Sequence, residues 1–205
     1  TAVDNGGNVV NAPADCNWGR RDTDDSNSET YMWEEYVGGD FARNARCHLE
    51  FRGYAYIANG DPANDPAEVQ MMPNYNTGGA NDPVLTNPEL VFWDVWEFDS
   101  NRTRGWLEIA EYIELSPGAL NRGAMNWQRI DLHQGANQNY NWTRHTVDLT
   151  NVNGIDFRGK KVAFRFVMEN RDTGSTRRWY IDDFEIRQRE LAGEDGNPAF
   201  TIDPN

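Results

Sequence analysis

The run Trp179-Tyr-Ile-Asp-Asp-Phe-Glu-Ile186 places two carboxylates, Asp182 and Asp183, inside an otherwise apolar, strand-like segment. An unpaired charge carried into a protein interior costs several kcal/mol, so such a carboxylate needs a cation, an arginine or solvent reached through a bulge. Strict alternation gives Asp182 the parity of Tyr180, Phe184 and Ile186 and turns it toward the core, leaving Asp183 outward with Ile181. A hard cation such as Ca2+, which takes about six to eight oxygen ligands, would neutralise Asp182 and tie the last strand to an earlier loop. An arginine would serve the same end, and arginine far outnumbers lysine in this chain.

Other groupings are weaker. Glycoside hydrolysis needs two carboxylates about 5–9.5 Å apart across a cleft. In Glu108-Ile-Ala-Glu-Tyr-Ile-Glu114, alternation puts Glu108 and Glu114 on one face and Glu111 on the other, and Ala110 stands where the jelly-roll glycosidase pattern Glu-x-Asp-x-x-Glu needs an aspartate. These glutamates therefore read as the solvated side of a strand. His48, His133 and His145 are scattered without metal-ligand spacing and read as surface or hydrogen-bonded residues. No Gly-x-Ser-x-Gly and no Gly-rich phosphate loop is present, so no catalytic residue is expected. Sugars stack on exposed aromatic rings flanked by polar groups. Asn137-Gln-Asn-Tyr-Asn-Trp142 interleaves the two, and Trp127, Tyr140 and Trp142 are the ligand-binding candidates.

These residues need strands to hold them. Eight β-rich runs separated by turn residues are expected at 47–58, 68–72, 89–99, 105–115, 126–132, 142–149, 161–170 and 178–187, with few helical patterns. The implied fold is all-β, an antiparallel two-sheet jelly-roll sandwich. In Leu90-Val-Phe-Trp-Asp-Val-Trp-Glu-Phe98, one face carries Leu90, Phe92, Trp96 and Phe98 and the other Val91, Trp93 and Val95, which marks a central strand. Phe164 and Phe166 are the expected core of 161–170. The Asn-, Gly- and Ala-rich segment 1–13 and the tail 189–205 are expected to be irregular arms around a domain spanning 14–188.

The chain has 205 residues, enough for one sizeable core, and the aromatic content of 12% supplies large surfaces to bury. A net charge of −14 sets nucleic acid aside as a partner, and no apolar run is long enough for membrane insertion. Two cysteines, Cys16 and Cys47, fit one disulfide in an oxidising, extracellular setting, with a pair of buried thiols as the alternative.

Cys16-Asn-Trp18 followed by Arg21-Asp-Thr-Asp-Asp25 resembles the opening of MAM domains, the adhesive modules of meprins, neuropilins and receptor tyrosine phosphatases. Gly53-Tyr-Ala-Tyr-Ile57, Glu68-Val-Gln-Met-Met-Pro73, Glu89-Leu-Val-Phe-Trp93, the run 142–149 and the closing 179–186 follow in the order of that family's landmarks, covering about residues 14–188. The family's full cysteine set is missing, so its disulfide pairing does not carry over, and a bacterial MAM-like or lectin-like jelly roll is the nearer likeness. The resemblance implies a non-catalytic, extracellular or cell-surface recognition or assembly protein. By analogy with related jelly rolls it also offers Asp22, Asp24 and Asp25 as the loop carboxylates that would join Asp182 around a structural Ca2+. The expected partners are proteins, including further copies joined through the terminal arms, or glycans. A carbohydrate-binding module is the second reading.

Overall fold

The computed structural model describes residues 2–3, 9–10, 18–21, 32–35, 45–50, 55–57, 87–98, 100–116, 119–121, 123–171 and 178–189. They form fourteen strands: β1 (Ala2–Val3), β2 (Val9–Val10), β3 (Trp18–Arg21), β4 (Met32–Glu35), β5 (Ala45–Glu50), β6 (Ala55–Ile57), β7 (Pro88–Phe98), β8 (Thr103–Glu111), β9 (Glu114–Ser116), β10 (Ala119–Leu120), β11 (Gln128–Gln134), β12 (Asn137–Asp148), β13 (Lys160–Asn170) and β14 (Arg178–Gln188). Among the described residues there is no helix. The expected run at 68–72 lies outside them.

Two antiparallel sheets make a β-sandwich. Sheet A has the order β11-β8-β13-β5-β1-β2, with β6 also paired to β13, and sheet B the order β12-β7-β14-β4-β3; β9 and β10 form a small separate hairpin. The chain alternates between the sheets: β7, β12 and β14 lie in B while β8, β11 and β13 lie in A. That winding is the jelly-roll pattern, and it makes the neighbours of the long strands β7, β8, β13 and β14 non-consecutive in sequence, whereas β1–β2 and β3–β4 are consecutive pairs. The segment expected to be an irregular arm supplies two strands. Ala2 pairs with Cys47 of β5, and β2 pairs back on β1.

The core follows from period-two alternation. Sheet A contributes Cys47, Leu49, Leu107, Ile109, Val162, Phe164, Phe166 and Met168, and sheet B contributes Leu90, Phe92, Phe98, Trp179, Ile181 and Ile186, all buried in one cluster. Phe164 and Phe166 are thus core residues as expected, and β7 is central, between β12 and β14. Gly105 is a point of close approach between the layers. A Cβ there would stand 3.1 Å from Phe98 Cζ and 3.2 Å from Trp179 Cζ3, so the two rings occupy the space a side chain would need.

The outer face of sheet A carries a second layer built on arginine. Arg129 lies over the buried Trp106 ring at 3.9 Å and Arg46 at 5.3 Å, while Trp106 Nε1 donates to Glu108 Oε1 at 2.8 Å. Arg165 covers Trp127 at 3.9 Å and pairs with Glu108 Oε2. Planar guanidinium groups can stack on a ring and bind a carboxylate at once, which suits a face that is neither core nor open surface. Glu169 is held in the same way by Arg46 at 2.8 Å and Arg171 at 3.1 Å. Burial pushes its carboxyl upward, but the hydrogen bonds and charges of the two arginines outweigh it and hold the group below its ordinary 4.5.

Two outcomes follow. Gly105→Ala overpacks the contact with Phe98 and Trp179 and is expected to cost about 1–3 kcal/mol, read from the urea midpoint. Glu169→Gln is expected to cost roughly 1 kcal/mol at neutral pH. Because the folded-state pKa is depressed, that difference is fully present above the ordinary carboxylate range and vanishes as pH falls through the lowered value, which stability curves against pH will show.

Candidate functional site

The strongest concentration of chemistry lies between the sheets, on residues that alternation and one bulge turn inward. Asp94 sits in the middle of β7 with the parity of Leu90, Phe92, Trp96 and Phe98, and is fully buried. On the neighbouring β12, His145 stands opposite Phe92 and shares its face with Val147, which packs on the core. His133 comes from the other sheet. On β11, Ile130 pairs opposite Leu107 and faces the core, but a register shift between Asp131 and His133 inserts one residue, so His133 pairs opposite Gly105 and also points inward. An unbroken strand would have turned it outward.

The three side chains meet. His133 Nε2 hydrogen-bonds Asp94 Oδ2, His145 Nε2 hydrogen-bonds Oδ1 at 2.8 Å, and Trp179 Nε1 from β14 donates to Oδ2 at 3.0 Å. An ionised carboxylate only accepts, so in this arrangement each imidazole carries a proton on Nε2. Burial, the largest influence on Asp94, pushes its carboxyl upward. The hydrogen bonds from the two histidines, together with their attraction, overcome this and leave it below its ordinary 3.8. Rings close the rest of the space. Trp96 stacks on His133 with centroids 3.7 Å apart and planes 16° apart, Phe92 stacks on His145 at 4.9 Å and 13°, and Phe98 and Trp179 meet His133 edge-on at 6.0 and 5.9 Å. His145 is the member nearest solvent, its side chain 21% exposed against 4% for His133 and none for Asp94.

Chemically the cluster offers one carboxylate oxygen and two imidazole nitrogens, all within 4.8 Å of one another. Calcium prefers oxygen alone, whereas imidazole suits zinc and its neighbours. The reading of His133 and His145 as scattered residues is therefore corrected: they are far apart in sequence but adjacent across the sandwich. His48 is buried on β5 and does not join them.

The other expected residues are placed as follows. Asp182 is buried, but it pairs opposite Trp93 on the outer-facing parity of β7, and a register shift between Asp182 and Glu185 follows it. The inward residues of β14 are Trp179 and Ile181 before the shift and Phe184 and Ile186 after it. Asp182 is thus not on the core face, and Ile181 is not outward. Asp183 occupies the bulge itself with φ +48°, its N–H donating to Asp182 Oδ1 at 2.8 Å. The left-handed region is one that aspartate tolerates better than most side chains. Asp22, Asp24 and Asp25 lie outside the described residues, as does Cys16. Cys47 is fully buried and disulfide-bonded.

Trp127 packs against Ala110, Met125 and Ala163 outside sheet A, under Arg165. Tyr140 and Trp142 belong to β12 of sheet B, within an irregularity between Asn139 and Thr143 that an Asn139–Thr143 side-chain hydrogen bond of 2.8 Å closes. The three do not form one platform. Glu108 is engaged by Trp106 and Arg165, and Glu111 pairs with Lys160 at 3.3 Å.

No family model matches the chain, and no curated protein does. Among solved structures, a cleaved adhesin domain of Lys-gingipain from Porphyromonas gingivalis is similar over 93% of this chain and 90% of that one, at 13% identity and a TM-score of 0.39. That overlay is too loose to carry a function from one chain to the other.

Removing the carboxylate strands two buried imidazoles and the Trp179 N–H. Asp94→Ala is expected to destabilise the fold by about 3–5 kcal/mol, measured by chemical denaturation.

Proposed function

We propose that this chain is a non-catalytic, extracellular recognition or assembly domain of MAM-like layout, which joins its partners by strand addition at the β5 edge of sheet A. The observation that carries this is the pairing of Ala2 with Cys47 of β5 and of Val9–Val10 with Ala2–Val3. An open sheet edge presents a row of unpaired N–H and C=O groups and is a ready template for another strand. Here the edge is filled by a two-residue strand, which contributes few hydrogen bonds and is easily exchanged for the same segment of a second copy. The collinear landmarks of 14–188 support the MAM-like layout. A closed, ring-packed interior around Asp94 favours a scaffold over turnover, and among the described residues no helix is long and apolar enough to cross a membrane.

The charge of −14 makes copies repel one another, so assembly is expected to strengthen as salt shortens the screening length. A structural Ca2+ at Asp182 with Asp22, Asp24 and Asp25 fits this reading as an adjunct that would hold the last strand to an early loop. Glycan binding is supported by one feature, the 63% exposed Tyr140 ring, whose hydroxyl donates to Gln138 Oε1 at 3.0 Å.

Light scattering and electron imaging of the full chain are expected to show concentration-dependent assembly that disappears when residues 1–13 are deleted. A chain that stays monomeric throughout, or a truncated chain that assembles equally well, overturns the reading.

A further inference from the structure

We propose that Asp94, His133 and His145 form a structural site for a borderline divalent transition-metal ion of the Zn2+ class, one that clips sheet A to sheet B. This inference is independent of how the chain assembles.

The choice of partners is the first argument. Four other carboxylates of the sandwich are balanced by arginine: Glu89 by Arg187 at 2.8 Å and Arg144 at 3.6 Å, Glu108 by Arg165, Glu169 by Arg46 and Arg171, and Asp148 by Arg189 at 2.6 Å. Asp94 is more deeply buried than any of them, yet it is given two imidazoles instead. Imidazole differs from guanidinium in one respect that matters here: with its proton carried on Nδ1, its Nε2 has a free lone pair and becomes a ligand. In an arginine-rich chain the most enclosed carboxylate has the partners that can coordinate.

Geometry is the second. Zinc binds imidazole nitrogen and carboxylate oxygen at about 2.0–2.2 Å, so tetrahedral neighbours stand roughly 3.3–3.5 Å apart. The three donor atoms already lie within 4.8 Å of one another, on strands β7, β11 and β12, and both histidines present the same nitrogen, Nε2. Small side-chain adjustments open the space for an ion where the two Nε2 protons now sit. The stacked Trp96 and Phe92 fix both ring planes, and Trp179 Nε1 orients the carboxylate from behind, the support that metal ligands need. His145, the partly exposed member, marks the side from which an ion and a fourth ligand, water, would enter.

The test uses the full chain stripped with a chelator. Titration calorimetry with Zn2+ is expected to show one site per chain, and Co2+ in its place to give the visible absorption of a four-coordinate nitrogen–oxygen complex. Zn2+ should raise the melting temperature in a concentration-dependent manner while Ca2+ does not reproduce the shift at this site. His145→Phe keeps a ring against Phe92 and removes the donor; it should weaken Zn2+ binding at least about 100-fold, beyond the cost of losing an outer-shell partner. His133→Phe should do the same, and His48→Gln should leave binding unchanged. The proposal is overturned if the stripped chain binds no stoichiometric Zn2+, or if binding survives in both His145→Phe and His133→Phe.

Discussion

The structure turns on one constraint: a carboxylate, Asp94, sits fully buried in the middle of the central strand β7 and must be satisfied without water. Transfer of an ionised carboxylate into an apolar interior is among the costliest events in folding, and it is tolerated only with full hydrogen bonding and nearby opposite charge. Here the two oxygens take three donors, from His133, His145 and Trp179, and those donors come from both sheets. Apolar packing alone would let the layers slide or repack at small cost. A directional knot of this kind permits one alignment of β7, β11, β12 and β14.

Much of the local irregularity serves that alignment. The register shift in β11 turns His133 inward, and Gly105 opposite it leaves room for Phe98 and Trp179 to close around the imidazole. Among the described residues, Phe92, Trp96, Phe98 and Trp179 line this space, with Phe166 edge-on to both Phe92 and Trp179. Outside sheet A the chain solves the same problem differently. There the carboxylates meet arginines that also cap Trp106 and Trp127, so charge is satisfied at the boundary with solvent, where flexible guanidinium groups cost little to desolvate.

The fold class was legible in the sequence because alternation of apolar residues is a direct image of a sheet with one buried face. The pairings Leu90/Phe92 and Phe164/Phe166 emerge from it without further information. Asp94 was passed over although its signal was present: it shares the parity of Leu90, Phe92, Trp96 and Phe98, which turns it toward the core. His145 follows from Val147 by the same step of two. His133 and Asp182 were not legible, and for one reason. Each adjoins a bulge, and one extra residue reverses the face of everything after it, so alternation gives the wrong answer for His133 on β11 and for Ile181 and Asp182 on β14. Convergence of residues 39 and 51 positions apart also leaves no spacing motif, since strands that neighbour one another across a jelly roll are distant along the chain.

Coupling between Asp94 and His133 across the two sheets is the quantity on which this account stands or falls. A double-mutant cycle with Asp94→Asn and His133→Gln, read by urea denaturation of chelator-treated protein, measures it without reference to any ligand. An interaction energy of about 1–3 kcal/mol is expected, because each side chain is the other's buried partner. Additivity within about 0.5 kcal/mol would contradict it and would reduce the cluster to ordinary core packing.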